Sequence, residues 1–88
     1  MKGKINLDIQ VIDKEMDRPI RGATVTIKGH TLTKESKAIG GKASFEDLEQ
    51  GLYLIRATAS GYKDSVFSLG LRDSGSFSVL LARSQLPF

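Results

Sequence analysis

Pro19-Ile20-Arg21-Gly22-Ala23-Thr24-Val25 is the stretch on which the reading of this chain turns. Pro19 fixes its own φ and offers no backbone donor, and Gly22 lets the backbone bend. Ala23, Val25 and Ile27 then alternate with Thr24, Thr26 and Lys28, which is the period of a strand with one apolar face. Turn chemistry followed by alternation recurs down the chain. It is seen at Gly40-Gly41-Lys42-Ala43-Ser44-Phe45, at Phe45-Glu46-Asp47-Leu48, at Gly51-Leu52-Tyr53 and at Ala59-Ser60-Gly61-Tyr62.

Working outward, Ile5, Leu7, Ile9 and Val11 share a face opposite Lys4, Asn6, Asp8 and Gln10, predicting a first strand over residues 4–12. Charged residues 13–19 read as a loop. Residues 31–37 are polar and read as a weak strand at a sheet edge, where Lys discourages pairing with other chains. A short strand begins at Ala43 and Phe45. The strongest strand, 52–59, sets Tyr53, Ile55, Ala57 and Ala59 against Leu52 and Leu54. A strand near 64–70 carries Val66, Phe67 and Leu69. Asp73-Ser74-Gly75 is a turn, and a last strand at 76–82 points Phe77, Val79 and Leu81 inward. Seven short strands and no helix longer than a turn predict an all-β, seven-stranded antiparallel β-sandwich.

A chain of 88 residues is one domain, with residues 1–83 as the folded unit and 84–88 as a tail or the start of a linker. There is no cysteine, hence neither a disulfide framework nor a thiolate metal site. Residues 1–44 carry nine Lys/Arg against five Asp/Glu, and residues 45–88 carry four against five. Basic residues interleaved with acidic ones argue against a nucleic-acid partner. No apolar run approaches the roughly 20 residues of a membrane helix, so no membrane insertion is expected. Met1-Lys2-Gly3-Lys4 runs straight into an alternating strand, without the apolar core of a signal peptide.

The ordered elements at 19–25, 40–45, 48–53 and 59–62 resemble the carboxypeptidase regulatory-like domain family, within the transthyretin-like and surface-protein B-type sandwiches. The resemblance spans roughly residues 5–82. It implies a Greek-key, transthyretin-like (prealbumin-like) topology, an extracytoplasmic setting, and a non-catalytic accessory module serving as spacer or docking domain in a larger protein. The partner so implied is another protein or an adjacent domain. Pro19, Gly22, Gly51, Tyr53, Gly61 and Tyr62 are then scaffold residues, the two tyrosines burying their rings while each hydroxyl finds a partner.

Candidate chemistry is sparse. Strict alternation of loops between the two ends of a sandwich puts Asp13, Glu15 and Asp17 at one end and Glu46, Asp47 and Glu49 at the other. They cannot form the carboxylate pair of a glycoside hydrolase, whose members lie within ~10 Å. Asp13-x-Glu15-x-Asp17 has alternating oxygen ligands, but Arg18 stands where a hand-type calcium loop needs Gly. It is expected to be a solvated loop. His30, the one histidine, shares an end with Asp47, Glu49, Asp73, Ser74 and Ser76, without a nucleophile elbow. An internal Lys-to-Asn bond, known in surface-protein sandwiches, lacks its last-strand Asn, because the sole Asn is Asn6. The alternative function is carbohydrate binding. Without Trp, only Tyr62 and Phe88 could stack on a sugar. No catalytic residue, metal or cofactor is expected.

Overall fold

A computed structural model describes residues 4–30 and 32–84. Its eight strands are β1 (Ile5–Asp13), β2 (Arg18–Pro19), β3 (Ala23–Lys28), β4 (Thr33–Ala38), β5 (Lys42–Leu48), β6 (Gly51–Thr58), β7 (Ser65–Leu71) and β8 (Gly75–Leu81). The count is eight, not seven, because two residues of the expected 13–19 loop, Arg18 and Pro19, pair with Asp13 and Ile12. Pro19 is admissible there because a two-residue outer strand can leave its N side unpaired.

The strands form two layers. β3, β4, β6 and β7 make one sheet in the order β4-β3-β6-β7, antiparallel throughout, with Val25 opposite Ala57, Ile27 opposite Ile55 and Ile55 opposite Phe67. The other sheet is built on β1. Its one edge pairs with antiparallel β5, through a register irregularity between Ile5 and Leu7, and then with β2. Its other edge pairs with β8 in parallel, from Leu7 opposite Gly75 to Asp13 opposite Leu81. The sheet is therefore mixed rather than wholly antiparallel. A strand's own alternation is the same whichever way its neighbour runs, so sequence periodicity is blind to this difference.

Side-chain period two then fills the interlayer space. Ile9 and Val11 from one sheet meet Val25, Ile27 and Ile55 from the other, and all are fully buried, as are Leu48 and Leu81. Along one side of the sandwich β4 lies beside β5, and Lys34 Nζ donates to the Glu46 carbonyl at 2.7 Å. Along the other side β7 lies beside β8, where Phe67 and Phe77 stack with centroids 5.6 Å apart. Phe77 shares the inward phase of Val79 and Leu81 yet is 40% exposed. It stands where the sheets end, so its ring closes the seam instead of filling the core.

Where β1 passes from β5 to β2, the ladder is bridged by Val11 N donating to Gly41 O at 2.7 Å and Ile20 N donating to Val11 O at 2.9 Å. Gly41 has φ +88°, and a Cβ there would collide with the Pro19 ring. Glycine is demanded twice at this crossing, by conformation and by space.

Candidate functional site

The one buried polar cluster of the described residues is at the far end of β1. The alternation Ile5, Leu7, Ile9, Val11 continues in phase to Asp13, so β1 carries its last residue inward, only 4% exposed. The carboxylate is fully engaged. Asp13 Oδ1 accepts from the backbone N–H groups of Glu15 (2.8 Å) and Met16 (3.0 Å), folding residues 14–17 into an Asx turn. Asp13 Oδ2 accepts from the Tyr62 hydroxyl at 2.6 Å and from Arg83 Nε at 3.1 Å. Four donors satisfy the acceptor capacity of one carboxylate.

The electrostatics follow from this geometry. The Tyr62 hydrogen bond, with the Met16 and Glu15 amides and Arg83, holds the Asp13 carboxyl far below the usual carboxylate range. The hydrogen bond to the Asp13 carboxylate raises Tyr62 above its ordinary value, and the same partner raises Arg83. A carboxylate this acidic and this fully bonded has no lone pair left for a ligand and no proton to exchange near neutrality. Its work is mechanical. Tyr62 pairs with Arg83, Lys63 N donates to Ala82 O at 2.9 Å, and Ser84 N donates to Gly61 O at 2.9 Å. Asp13 thus ties the exit of β8 and the β6–β7 connection to the end of β1.

The acidic triplet does not converge. Asp13 points inward while Glu15 and Asp17 are exposed, so the expected solvated loop is corrected at its first residue. No group of three or more metal-ligating side chains exists among the described residues. At the opposite end, Ser74 Oγ accepts from Asn6 N at 2.9 Å, and Asn6 Oδ1 accepts from Asp47 N at 3.4 Å, which commits that serine to loop closure. His30 is exposed beside Leu52 and Tyr53 on a shallow depression.

The other residues singled out in the sequence are placed as follows. Pro19 lies in β2. Gly22, Gly51 and Gly61 have φ +77°, +153° and +84°. The Tyr53 ring is buried over Gly29, where a Cβ would come within 2.7 Å of it, and its hydroxyl donates to Glu49 O at 2.7 Å. Tyr62 is half-buried with its hydroxyl committed to Asp13, so it is no free platform for a sugar. Phe88 lies outside the described residues, as do residues 85–87 of the expected tail.

Two surface features lie away from this cluster. Leu52 (70% exposed), Leu54 and Val66 form an apolar group on the outer face of β6 and β7. The edges of the sandwich also differ in chemistry. β4 carries Lys34, Glu35 and Lys37, and β5 carries Lys42, Glu46 and Asp47. β7 and β8 carry no charge at all. Counting charges in each strand would have found the contrast, had the order of the strands been known.

No protein-family model matches the chain, and no curated protein matches it. Solved structures do. The TIE protein of Bacillus anthracis is similar at a TM-score of 0.72 and 14% identity, over 91% of this chain and 16% of that one. The minor pilin of Streptococcus agalactiae is similar at a TM-score of 0.68 and 13% identity, over 100% and 48%. A chain of the type II cohesin–X–dockerin complex of Acetivibrio cellulolyticus is similar at a TM-score of 0.66 and 15% identity, over 88% and 56%. What these likenesses define is the fold, a β-sandwich domain. This chain spans less than two thirds of the length of each of those chains.

Proposed function

We propose that this protein is a non-catalytic structural module, an in-line spacer or docking domain of a larger assembly. One observation carries the reading: β1 and β8 are parallel neighbours. Parallel pairing sets the start of β1, at Ile5, and the end of β8, at Leu81, at opposite ends of one seven-rung ladder. A module strung into a longer chain through these strands bears tension along the ladder, where all the rungs resist together. The Asp13 cluster then locks the exit of β8 at the loaded end.

The likenesses to a minor pilin and to a chain of a cohesin–X–dockerin complex support the same reading. The ordered motif of residues 19–62 supports a domain of the carboxypeptidase regulatory-like kind with transthyretin-like, Greek-key topology. Its folded unit is residues 1–83, with Pro19, Gly22, Gly51, Tyr53, Gly61 and Tyr62 its scaffold and 84–88 a tail or the start of a linker.

Titration of the 15N-labelled protein with a glycan panel and with Ca²⁺ tests the spacer or docking reading against a ligand-binding one. Amide spectra are expected to stay unchanged. Saturable shifts around Tyr62 or around Asp13, Glu15 and Asp17 would overturn it.

A further inference from the structure

The bare edge at β7 is continuous with a sequence that is complementary to itself. Residues 63–73 read Lys-Asp-Ser-Val-Phe-Ser-Leu-Gly-Leu-Arg-Asp. β7 is the last strand of its sheet, paired on one side only, with β6. Its free side therefore offers alternate N–H and C=O groups with no charge, no proline and, among the described residues, no strand beyond them. The ladder of residues 61–63 with 82–84 marks where that free edge begins.

If a second copy approaches antiparallel with Ser68 opposite Ser68, every position meets a suitable partner. Phe67 faces Leu69 and Ser65 faces Leu71 on the inner side of the strand, while Val66 faces Gly70 on the outer side. Gly70 is open, with nothing within 4 Å of where a Cβ would project, so the isopropyl group of Val66 has room. At each end the charges match, Asp64 of one copy meeting Arg72 of the other. Arg72 has no ion-pair partner among the described residues, and Asp64 uses Oδ2 on Arg56 at 2.7 Å. The next face-matched register in one direction sets Asp64 against Gly70 and Arg72 against Tyr62. In the other direction it sets Asp64 against Ser74 and Arg72 against Val66. Both lose both charge pairs.

We propose that the β7 edge pairs with the β7 edge of a second copy of this chain about a two-fold axis at Ser68. The two four-stranded sheets then join into one, ordered β4-β3-β6-β7 and back again. Such an isologous contact closes on itself and does not propagate. Exposed ion pairs contribute little energy each, so here they fix register more than affinity. A single edge buries less than the roughly 1,200 Å² of a stable interface, and the dimer is accordingly weak and concentration-dependent. Pairing at β7 leaves the ends of β1 and β8 free, so this proposal stands or falls independently of the spacer reading.

The cysteine-free chain makes the test direct. In Ser68→Cys, antiparallel pairing brings the two Cα atoms to about 4.5–5.5 Å, within disulfide range. Under mild oxidation it is expected to cross-link at least tenfold faster than Ser36→Cys on β4 or Ser78→Cys on β8. Adding Arg72→Asp to the Ser68→Cys background should abolish that advantage, since Asp64 then faces an acid. So should Asp64→Lys, in which a lysine faces Arg72. A mixture of the two should regain it, because each variant then complements the other, and circular dichroism verifies that all are folded. Equal rates for Ser68, Ser36 and Ser78, faster cross-linking at either control, or a mixture no better than its components would overturn the proposal.

Discussion

Ile55→Ala in β6 probes the packing between the layers where it is tightest. Ile55 is fully buried, with hydrogen-bonded strands on both sides: Ile27 opposite it on β3 and Phe67 on β7. Removing the three carbons beyond Cβ forfeits about 2.4 kcal/mol at ~0.8 kcal/mol per methylene-sized group. The flanking ladders prevent the site from collapsing, so a cavity of roughly 75 Å³ at ~24 cal/mol per Å³ brings the total to about 4 kcal/mol. A chain of 88 residues has roughly 4–13 kcal/mol in all. The melting temperature should therefore fall by about 15–30 °C, if the variant folds. Phe77→Ala is the internal comparison. Its ring is 40% exposed and stacks only across the seam on Phe67, so its loss should cost about 1–2 kcal/mol. Urea denaturation of both variants gives the two figures. An Ile55→Ala loss below that of Phe77→Ala would refute the assignment of core and seam.

Gly41→Ala should destabilise by more than Gly61→Ala. Both have positive φ, +88° and +84°, but only at Gly41 does the new Cβ also run into Pro19. The strain at Gly61 alone is worth about 1–2 kcal/mol, and equal denaturation midpoints would contradict the steric argument. The Asp13 cluster predicts a pH dependence of definite sign. Because the native carboxyl is held far below its ordinary 3.8, the unfolded chain binds a proton first as pH falls. The stabilisation is complete above about pH 5 and is lost progressively through pH 4 and below. Asp13→Asn should be less stable at pH 7 and flatter with pH between about 5 and 2; parallel profiles for variant and wild type would refute the assignment. Tyr62→Phe should lower the melting temperature and weaken the acid dependence, since its hydroxyl is the main donor to Asp13. An unchanged acid limb would remove Tyr62 from that role.

Much of the fold was legible wherever a strand reported its own environment. Ile5 to Val11 and Tyr53 to Ala57 each announced a buried face, and Leu52 and Leu54 an outer one. What escaped depended on partners distant in sequence. β2 has two residues and therefore no period, existing only because β1 overruns the end of β5. The parallel union of the first and last strands left no trace in either. Asp13 was readable in principle, being in phase with Val11, but its charge argued for solvent until Tyr62 and Arg83 were seen to meet it. Phe77 was in phase with the core and yet lies at its rim, because β8 and β7 are outer strands of their sheets and its ring meets Phe67 across that side.

Pulling the folded domain between two chosen points tests the spacer reading most directly. Attachment through Lys4→Cys and Ser84→Cys loads the β1–β8 ladder lengthwise, whereas Lys14→Cys and Ala82→Cys load it from the one end that both strands share. The account predicts a high, single unfolding force for the first pair, with all seven rungs failing together, and a several-fold lower force for the second, with rungs opening one by one. Equal forces in the two geometries would contradict it.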